Sequence, residues 1–329
     1  MQRIVLIGSG FMARTHAAAY ANIPNAQLVG VVDSNPDFAQ NLSSTYGIPV
    51  YEEFDRMLEE ASPDVIDICT PTPTHLEYAA KAAQAEKHVI VEKPLARTME
   101  DCRAIADLAA KSKQKWMVAQ VLRFMPQFAE GKRLVDAGTV GKPAVVRLAR
   151  GWGHPGSWYG DIAQSGGILL DFMVHDWDWL LWTFGDAERV YARILNRKDV
   201  GNLDYALVTV RFKNGTIAHV AGNWAHKVQE FATEFEIAGD EGMINFNSWT
   251  SSSLRIHSSA SKVDAGVTHL ESPAAKEPYY LELNHFIDCI ETGANPSVTP
   301  QQAMKAVQLG LAALESAQTG KLVQVDGIC

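Results

Sequence analysis

The chain has 329 residues, more than one compact core usually holds, so two domains are expected. Its 47% hydrophobic and 20% charged residues are those of a globular protein. A formal charge of -9 argues against a general binder of nucleic acid or anionic membrane, because both need a basic surface.

The four cysteines, Cys69, Cys102, Cys289 and Cys329, lack C-x-x-C spacing. That argues against a disulfide framework or a cysteine zinc site and fits a reducing compartment. The first apolar run, residues 4–7, is too short for the core of an export signal and stops at Gly8. The most apolar helical stretch, residues 168–184, carries Asp171, His175, Asp176 and Asp178, so no membrane span is expected. A cytoplasmic protein is the expectation.

Over the first 120 residues, β-branched runs at 3–7, 27–32, 65–70, 88–91 and 116–120 alternate with helical spacing, as at 74–85 and 98–111. Such alternation predicts a parallel sheet with helices on both faces, and the unbroken apolar runs agree. The first run leads into Gly8-Ser9-Gly10-Phe11-Met12-Ala13, a G-x-G-x-x-A turn opening a helix. Gly8 permits the tight turn, Gly10 lets a pyrophosphate approach the backbone, and Ala13 keeps the helix close to the sheet. Asp33 ends the next strand twenty residues later, where a carboxylate accepts hydrogen bonds from ribose hydroxyls and repels a 2′-phosphate. Neither Ser34 nor Asn35 supplies a cation, which favours NAD over NADP; Arg14 is a nearby guanidinium that could offset this.

Two later strands run into Thr70-Pro71-Thr72-Pro73-Thr74-His75 and Glu92-Lys93-Pro94. Ligands of doubly wound sheets sit beyond the carboxyl ends of the strands, so both segments are expected to border the cofactor. Thr74 also reads as a helix N-cap, and the isomer of the Lys93–Pro94 bond stays open. Gln120, ending the last of these strands, is a candidate contact of the nicotinamide.

Past about residue 122 the rhythm changes. A glycine- and aromatic-rich stretch, 151–167, precedes a helix over 168–184; strands follow at 187–196, 206–212, 216–225, 232–238 and 254–258. Asn214-Gly215 signals a two-residue hairpin, so this sheet should be largely antiparallel. Helices are expected at 281–291 and 300–317, the second stopped by Gly320. The expected fold is therefore α/β: a Rossmann-type doubly wound parallel sheet over 1–120, then an α+β domain over 121–329 for substrate binding and oligomerisation.

In helix 168–184, α-helical spacing puts Asp171, His175, Asp178 and Trp182 on one face, opposite Met173, Val174, Trp177 and Leu180. That polar face admits three readings: a solvated surface, a metal site, or acid–base chemistry. No H-E-x-x-H motif, cysteine partner or second histidine on the face supports metal.

Taken together, residues 8–13, Asp33, residues 70–75, Glu92-Lys93-Pro94, Gly166-Gly167-Ile168-Leu169-Leu170-Asp171, His175 and Asp178 resemble the glucose–fructose oxidoreductase / inositol dehydrogenase family of NAD(P)-dependent oxidoreductases. The resemblance implies an open-faced second sheet buried in a homodimer or homotetramer. It also implies a sugar, inositol or related polyol substrate, and catalytic roles for Lys93, Asp171 and His175. Substrate identity does not carry over, because the substrate loops vary. The family's periplasmic branch has a long export signal and prefers NADP; this chain has neither that signal nor the basic residue.

Alcohol oxidation needs a base, and His175 has a suitable ordinary pKa of about 6.5. Asp171 would orient the imidazole and stabilise its protonated form, while Lys93 would donate to the substrate oxygen. Which of Lys93 and His175 takes the proton first stays open. Arg123, Trp152, His154, Trp158 and Tyr280 are further substrate candidates, weighed against ordinary core roles for the aromatics. Two rival functions are a hydrolase or lyase using NAD for transient redox, and a non-enzymatic sensor that keeps the dinucleotide site.

Overall fold

The computed structural model describes residues 1–197, 203–226, 231–248, 251–258, 267–269 and 277–328; Cys329 lies outside them. The chain divides into two compact units, Met1–Phe124 with Lys276–Met304, and Met125–Ala275 with Lys305–Cys329. A single cut at residue 120 would differ in two respects: residues 121–124 stay with the first unit and residues 276–304 return to it.

The first unit alternates β1 (Gln2–Ile7), α1 (Phe11–Tyr20), β2 (Ala26–Val32), α2 (Pro36–Tyr46), β3 (Val50–Tyr51), α3 (Phe54–Ala61), β4 (Val65–Ile68), α4 (His75–Gln84), β5 (His88–Glu92), α5 (Met99–Lys111) and β6 (Trp116–Ala119). The six strands lie in the order β3-β2-β1-β4-β5-β6, and every pairing is parallel. This is the doubly wound order in which the chain reverses direction across the sheet between β1 and β4. The central strands are largely apolar because helices cover both sides, with Asp67 of β4 a buried exception; Ile4, Val5, Leu6 and Ile7 are all fully buried. Helix starts follow their local chemistry. Asn35 caps α2 by accepting the Asp37 N–H at 3.1 Å, with Pro36 at the first helical position, and the Thr98 hydroxyl caps α5 from the Asp101 N–H at 3.1 Å.

The second unit comprises α6 (Pro126–Asp136), β7 (Pro143–Gly153), the single turn α7 (Ile162–Ser165), a π-turn over Ile168–Phe172 and α8 (Val174–Phe184), followed by strands. These are β8 (Ala187–Arg197), β9 (Leu203–Phe212), β10 (Ile217–His226), β11 (Ala232–Gly239), β12 (Gly242–Asn247), β13 (Ser251–Ser258) and β14 (Val267–His269). The chain then forms α9 (Pro278–Thr292), which belongs to the first unit and packs on α1, before α10 (Pro300–Thr319) and the short β15 (Val323–Gln324). Gly320, at φ +69°, ends α10 with its N–H on the Ser316 carbonyl at 2.8 Å. The second sheet runs β14-β13-β12-β11-β7-β10-β9-β8-β15 and is antiparallel except at its middle, where β7 and β10 are parallel. Its aromatic core joins Phe128 on α6 and Trp179 on α8 to Phe235 on β11, with ring centroids 5.2–5.4 Å apart.

Three local expectations change. The hairpin at Asn214-Gly215 exists, but its loop is three residues, 213–215. Gly215 adopts φ +99° and donates its N–H to Phe212 O at 3.0 Å, the bulged alternative to a two-residue turn. The helix expected over 168–184 is broken at Met173, whose N–H reaches back five residues to Ile168 O at 2.9 Å. Asp171 therefore sits in a π-turn and His175 in the α-helix that follows it, rather than both in one continuous α-helix. Finally, β7 and β12 and the short β3, β14 and β15 were not anticipated. Among the described residues no helix is long and apolar enough to cross a membrane.

Candidate functional site

In the first unit, the carboxyl ends of β1, β2, β4, β5 and β6 gather the residues singled out by the sequence. Gly8 leaves β1 at φ +94°, and a Cβ there would stand 3.1 Å from the Cys69 carbonyl oxygen, so only glycine fits. A Cβ on Gly10 would meet nothing within 4 Å; this is the open side from which a phosphate can approach. Gly10 is also the N-cap of α1 and brings no side-chain cap, so the first helical N–H groups have no side chain competing for them. Phe11 is exposed, Met12 half-buried and Ala13 buried against the sheet.

Asp33, at the end of β2, is held rather than solvated at random. Its Oδ2 accepts the Ser9 hydroxyl at 2.5 Å and its Oδ1 accepts the Asn35 N–H at 2.9 Å, with Ser34 exposed beside it. The Arg14 guanidinium donates to the Ser9 carbonyl at 3.0 Å. Beyond β4, Pro71 is exposed, Thr72 is buried, and the Thr74 hydroxyl donates to Thr70 Oγ1 at 2.8 Å. Two buried polar groups in this region lack a hydrogen-bond partner: Thr72 Oγ1 and the whole side-chain amide of Gln120, beyond β6. Buried amides are almost always paired, so an unpaired one at a strand end fits a ligand carrying its own amide and hydroxyls. The bare glycine turn, the anchored Asp33 and these donors fit NAD, and no cation sits at positions 34–35.

His75 and Glu92 are both held by backbone groups of the turns beyond β4 and β5. His75 is buried; one ring nitrogen lies 3.0 Å from Thr70 O and the other 3.1 Å from Pro94 O and 3.2 Å from Leu95 O. It ties the segment after β4 to the turn after β5, and burial pushes its pKa down. Glu92 is also buried, and its Oε2 accepts the Lys93 backbone N–H at 3.0 Å. The Lys93–Pro94 bond is cis, and Lys93 is half-buried. Arg123 is buried too; its Nη1 donates to Ser297 O at 2.7 Å and Gln302 Oε1 at 3.2 Å. That end of the guanidinium anchors the segment leading into α10.

In the second unit, two consecutive positive-φ glycines, Gly166 (φ +85°) and Gly167 (φ +64°), turn the chain into the π-turn that carries Asp171. The Ser165 hydroxyl braces this turn, donating to Tyr159 O at 2.7 Å while accepting the Gly167 N–H at 2.8 Å. Asp171 is buried, and His175, in the first turn of α8, is half-buried. Next to His175 in sequence begins a feature the sequence did not disclose. Arg150 of β7 and Asp176 of α8, 3% and 1% exposed, form a two-pronged ion pair with both N–O distances at 2.9 Å. The Arg150 guanidinium also stands 5.5 Å from the Phe172 ring centre. Burial raises the Asp176 pKa while Arg150 opposes it. This pair fastens the start of α8, and hence His175, to the sheet.

The remaining candidates are partly exposed. Trp158 stacks on Tyr159 at 4.1 Å, and Trp152 lies 5.5 Å from Phe231. His154 Nδ1 accepts the Gly156 N–H at 3.1 Å, and its Nε2 lies 3.9 Å from Asp204 Oδ2. Tyr280, in the first turn of α9, belongs to the first unit.

Comparison with known proteins follows the same division. A family profile described as "Oxidoreductase family, NAD-binding Rossmann fold" matches residues 2–120, and a "GFO/IDH/MocA C-terminal domain" profile matches residues 128–245. The chain is 31% identical to scyllo-inositol 2-dehydrogenase (NAD(+)) of Bacillus subtilis, with 98% of this chain and 96% of the relative covered. It is 28% identical to myo-inositol 2-dehydrogenase of Thermotoga maritima, with 99% of each covered. A solved structure of levoglucosan dehydrogenase in complex with NADH and levoglucosan superposes with a TM-score of 0.88 at 25% identity, covering 98% of this chain and 99% of that one.

Proposed function

Because the chain belongs to the GFO/IDH/MocA oxidoreductase family, we propose that it is an NAD-dependent dehydrogenase of an inositol, a sugar or a related polyol. The observation that carries the substrate class is the likeness to inositol dehydrogenases along essentially the whole chain. Bound NAD supplies the acceptor for the hydride that leaves the carbinol carbon. The chain's own residues hold the cofactor and the alcohol and move the hydroxyl proton. Asp33, fixed by Ser9 and the Asn35 N–H, takes the ribose hydroxyls, and Gln120 offers its amide to the nicotinamide end.

Lys93 donates to the substrate oxygen and stabilises the alkoxide as the proton departs. His175 takes part as acid and base, and Asp171 orients the imidazole and balances its charge. Trp152, His154, Trp158 and Tyr280 are the substrate contacts that go with this reading. Tyr191, Leu195 and Leu207, exposed on β8 and β9, would be covered in a homodimer or homotetramer.

The test is a panel of inositols, sugars and sugar acids assayed with NAD and with NADP. Net NADH accumulation with a polyol, and a higher kcat/KM with NAD, is the expected result. Turnover without net NADH would move the protein to transient-redox hydrolysis or elimination. NAD binding with no turnover on any member would leave a sensor.

A further inference from the structure

Beneath the turn that carries Lys93 lies a buried cluster to which the dehydrogenase reading gives no task. His16, on the inner side of α1, is fully buried, and its Nδ1 lies 2.8 Å from Asp67 Oδ2 on β4. The Tyr20 hydroxyl donates to that same oxygen at 3.0 Å, and the Cys69 thiol donates to Asp67 Oδ1 at 3.3 Å. Asp67, itself fully buried, thus has three donors converging on it. On the far side of the ring, His16 Nε2 stands 3.1 Å from Glu92 Oε1, an ion-pair contact rather than a straight hydrogen bond. The other oxygen of Glu92 accepts the Lys93 N–H.

One imidazole therefore sits between two buried carboxylates. A neutral ring would meet Asp67 through its Nδ1 alone, whereas an imidazolium also places a positive charge 3.1 Å from Glu92 Oε1. Two carboxylates sharing a dry site without a cation between them would be costly. Burial works against charging the ring, yet the Asp67 carboxylate carries the His16 pKa well above its ordinary value. Burial pushes up both the Cys69 thiol and the Tyr20 hydroxyl, so these two neighbours stay protonated. Glu282 acts on Tyr20, and the Tyr279 ring lies 6.2 Å from the imidazole.

We propose that His16 is a positioning residue for Lys93: as an imidazolium clamped between Asp67 and Glu92, it fixes the carboxylate that holds the Lys93 backbone and so aims the lysine side chain. The inference rests on the reading of Lys93 as an acid–base residue only in its kinetic arm. Misplacing a catalytic group by about 1 Å can cost on the order of 10²-fold in rate. His16→Gln should accordingly lower kcat by about 10- to 100-fold while KM for NAD and polyol changes little.

Glu92→Gln, which keeps the shape and an acceptor for the Lys93 N–H, should give a similar loss, and the double variant should be no worse than the poorer single one. Tyr20→Phe, which removes an Asp67 donor on the other arm, should stay near wild-type activity. Two measurements need no turnover. Nitrogen NMR of the wild-type ring at about pH 8 should show both His16 nitrogens protonated, where an ordinary histidine is neutral. Amide exchange at Lys93 should accelerate at least about tenfold in either His16→Gln or Glu92→Gln while the β1 and β4 amides stay protected.

A singly protonated ring overturns the proposal, as does unchanged exchange at Lys93 or an equal kcat loss in Tyr20→Phe. Zinc copurifying on His16, Asp67 and Cys69, whose ligand atoms lie within 4.8 Å of one another, would also overturn it. If no polyol is oxidised, the dehydrogenase reading fails, and the NMR and exchange results still decide this one.

Discussion

Single side chains carry most of what can be tested at the finest scale. Lys93→Met and His175→Ala should each reduce turnover by about 10²–10⁴-fold, with NAD affinity measured by direct titration almost unchanged. Asp33→Ala combined with Ser34→Arg should raise the ratio of kcat/KM for NADP over NAD, because the carboxylate that repels a 2′-phosphate is exchanged for a cation. A pH effect follows from two other histidines. His88 Nδ1 accepts the Lys115 N–H and His285 Nε2 accepts the Ser297 N–H, each at 2.9 Å, and burial pushes both pKa values down. A histidine whose folded pKa lies below its unfolded one contributes stability that is whole above about pH 6.5 and is lost as pH falls. The urea midpoint should therefore drop on acidification below about pH 6.5, and less so in His285→Asn, whose amide oxygen can still accept. Gly8, Gly10 and Asp33 were legible in the sequence because each answers to a local backbone or spacing requirement. The His16–Asp67–Glu92 cluster was not, since its members come from α1, β4 and β5 and meet only once the sheet has formed.

Among the elements, β7 is the one whose absence from a sequence reading has the clearest physical cause. Its segment begins with Pro143, ends in Gly151-Trp152-Gly153 and carries Arg147 and Arg150, so it lacks the apolar run expected of a central strand. Arg150 is nevertheless compatible with the sheet's interior, because Asp176 meets it from α8. Arg150→Met would leave Asp176 buried and unpaired, at a cost of about 3–5 kcal/mol. Denaturant titration should register that loss, and the double variant Arg150→Met/Asp176→Leu should recover much of it. If the single change were silent, the pair would not be what fastens α8. The break at Met173 was illegible for another reason: a π-turn leaves the apolar period of residues 168–184 almost intact and shows only in the backbone. The strand–helix alternation of the first 120 residues, by contrast, was readable because each buried strand is a short apolar run bounded by polar turns.

For the molecule as a whole, the second sheet presents Tyr191, Leu195 and Leu207 on its outer face, and light scattering should find a dimer or tetramer. Leu195→Glu with Leu207→Glu should shift that population toward monomer; a wild-type protein already monomeric at micromolar concentration would remove the assembly. The first unit raises a different matter. It is discontinuous, and its later segment is bound into it: Val298 O accepts the Val118 N–H at 3.1 Å, Ser297 O receives Arg123, and the Gln301 side chain donates to Ala106 O at 3.0 Å. During synthesis, then, the nucleotide-binding half begins first yet lacks these contacts until residues 276–304 have been made. A nascent chain stalled anywhere earlier should expose α1 to proteases and chaperones, even when every residue of the glycine turn is already in place.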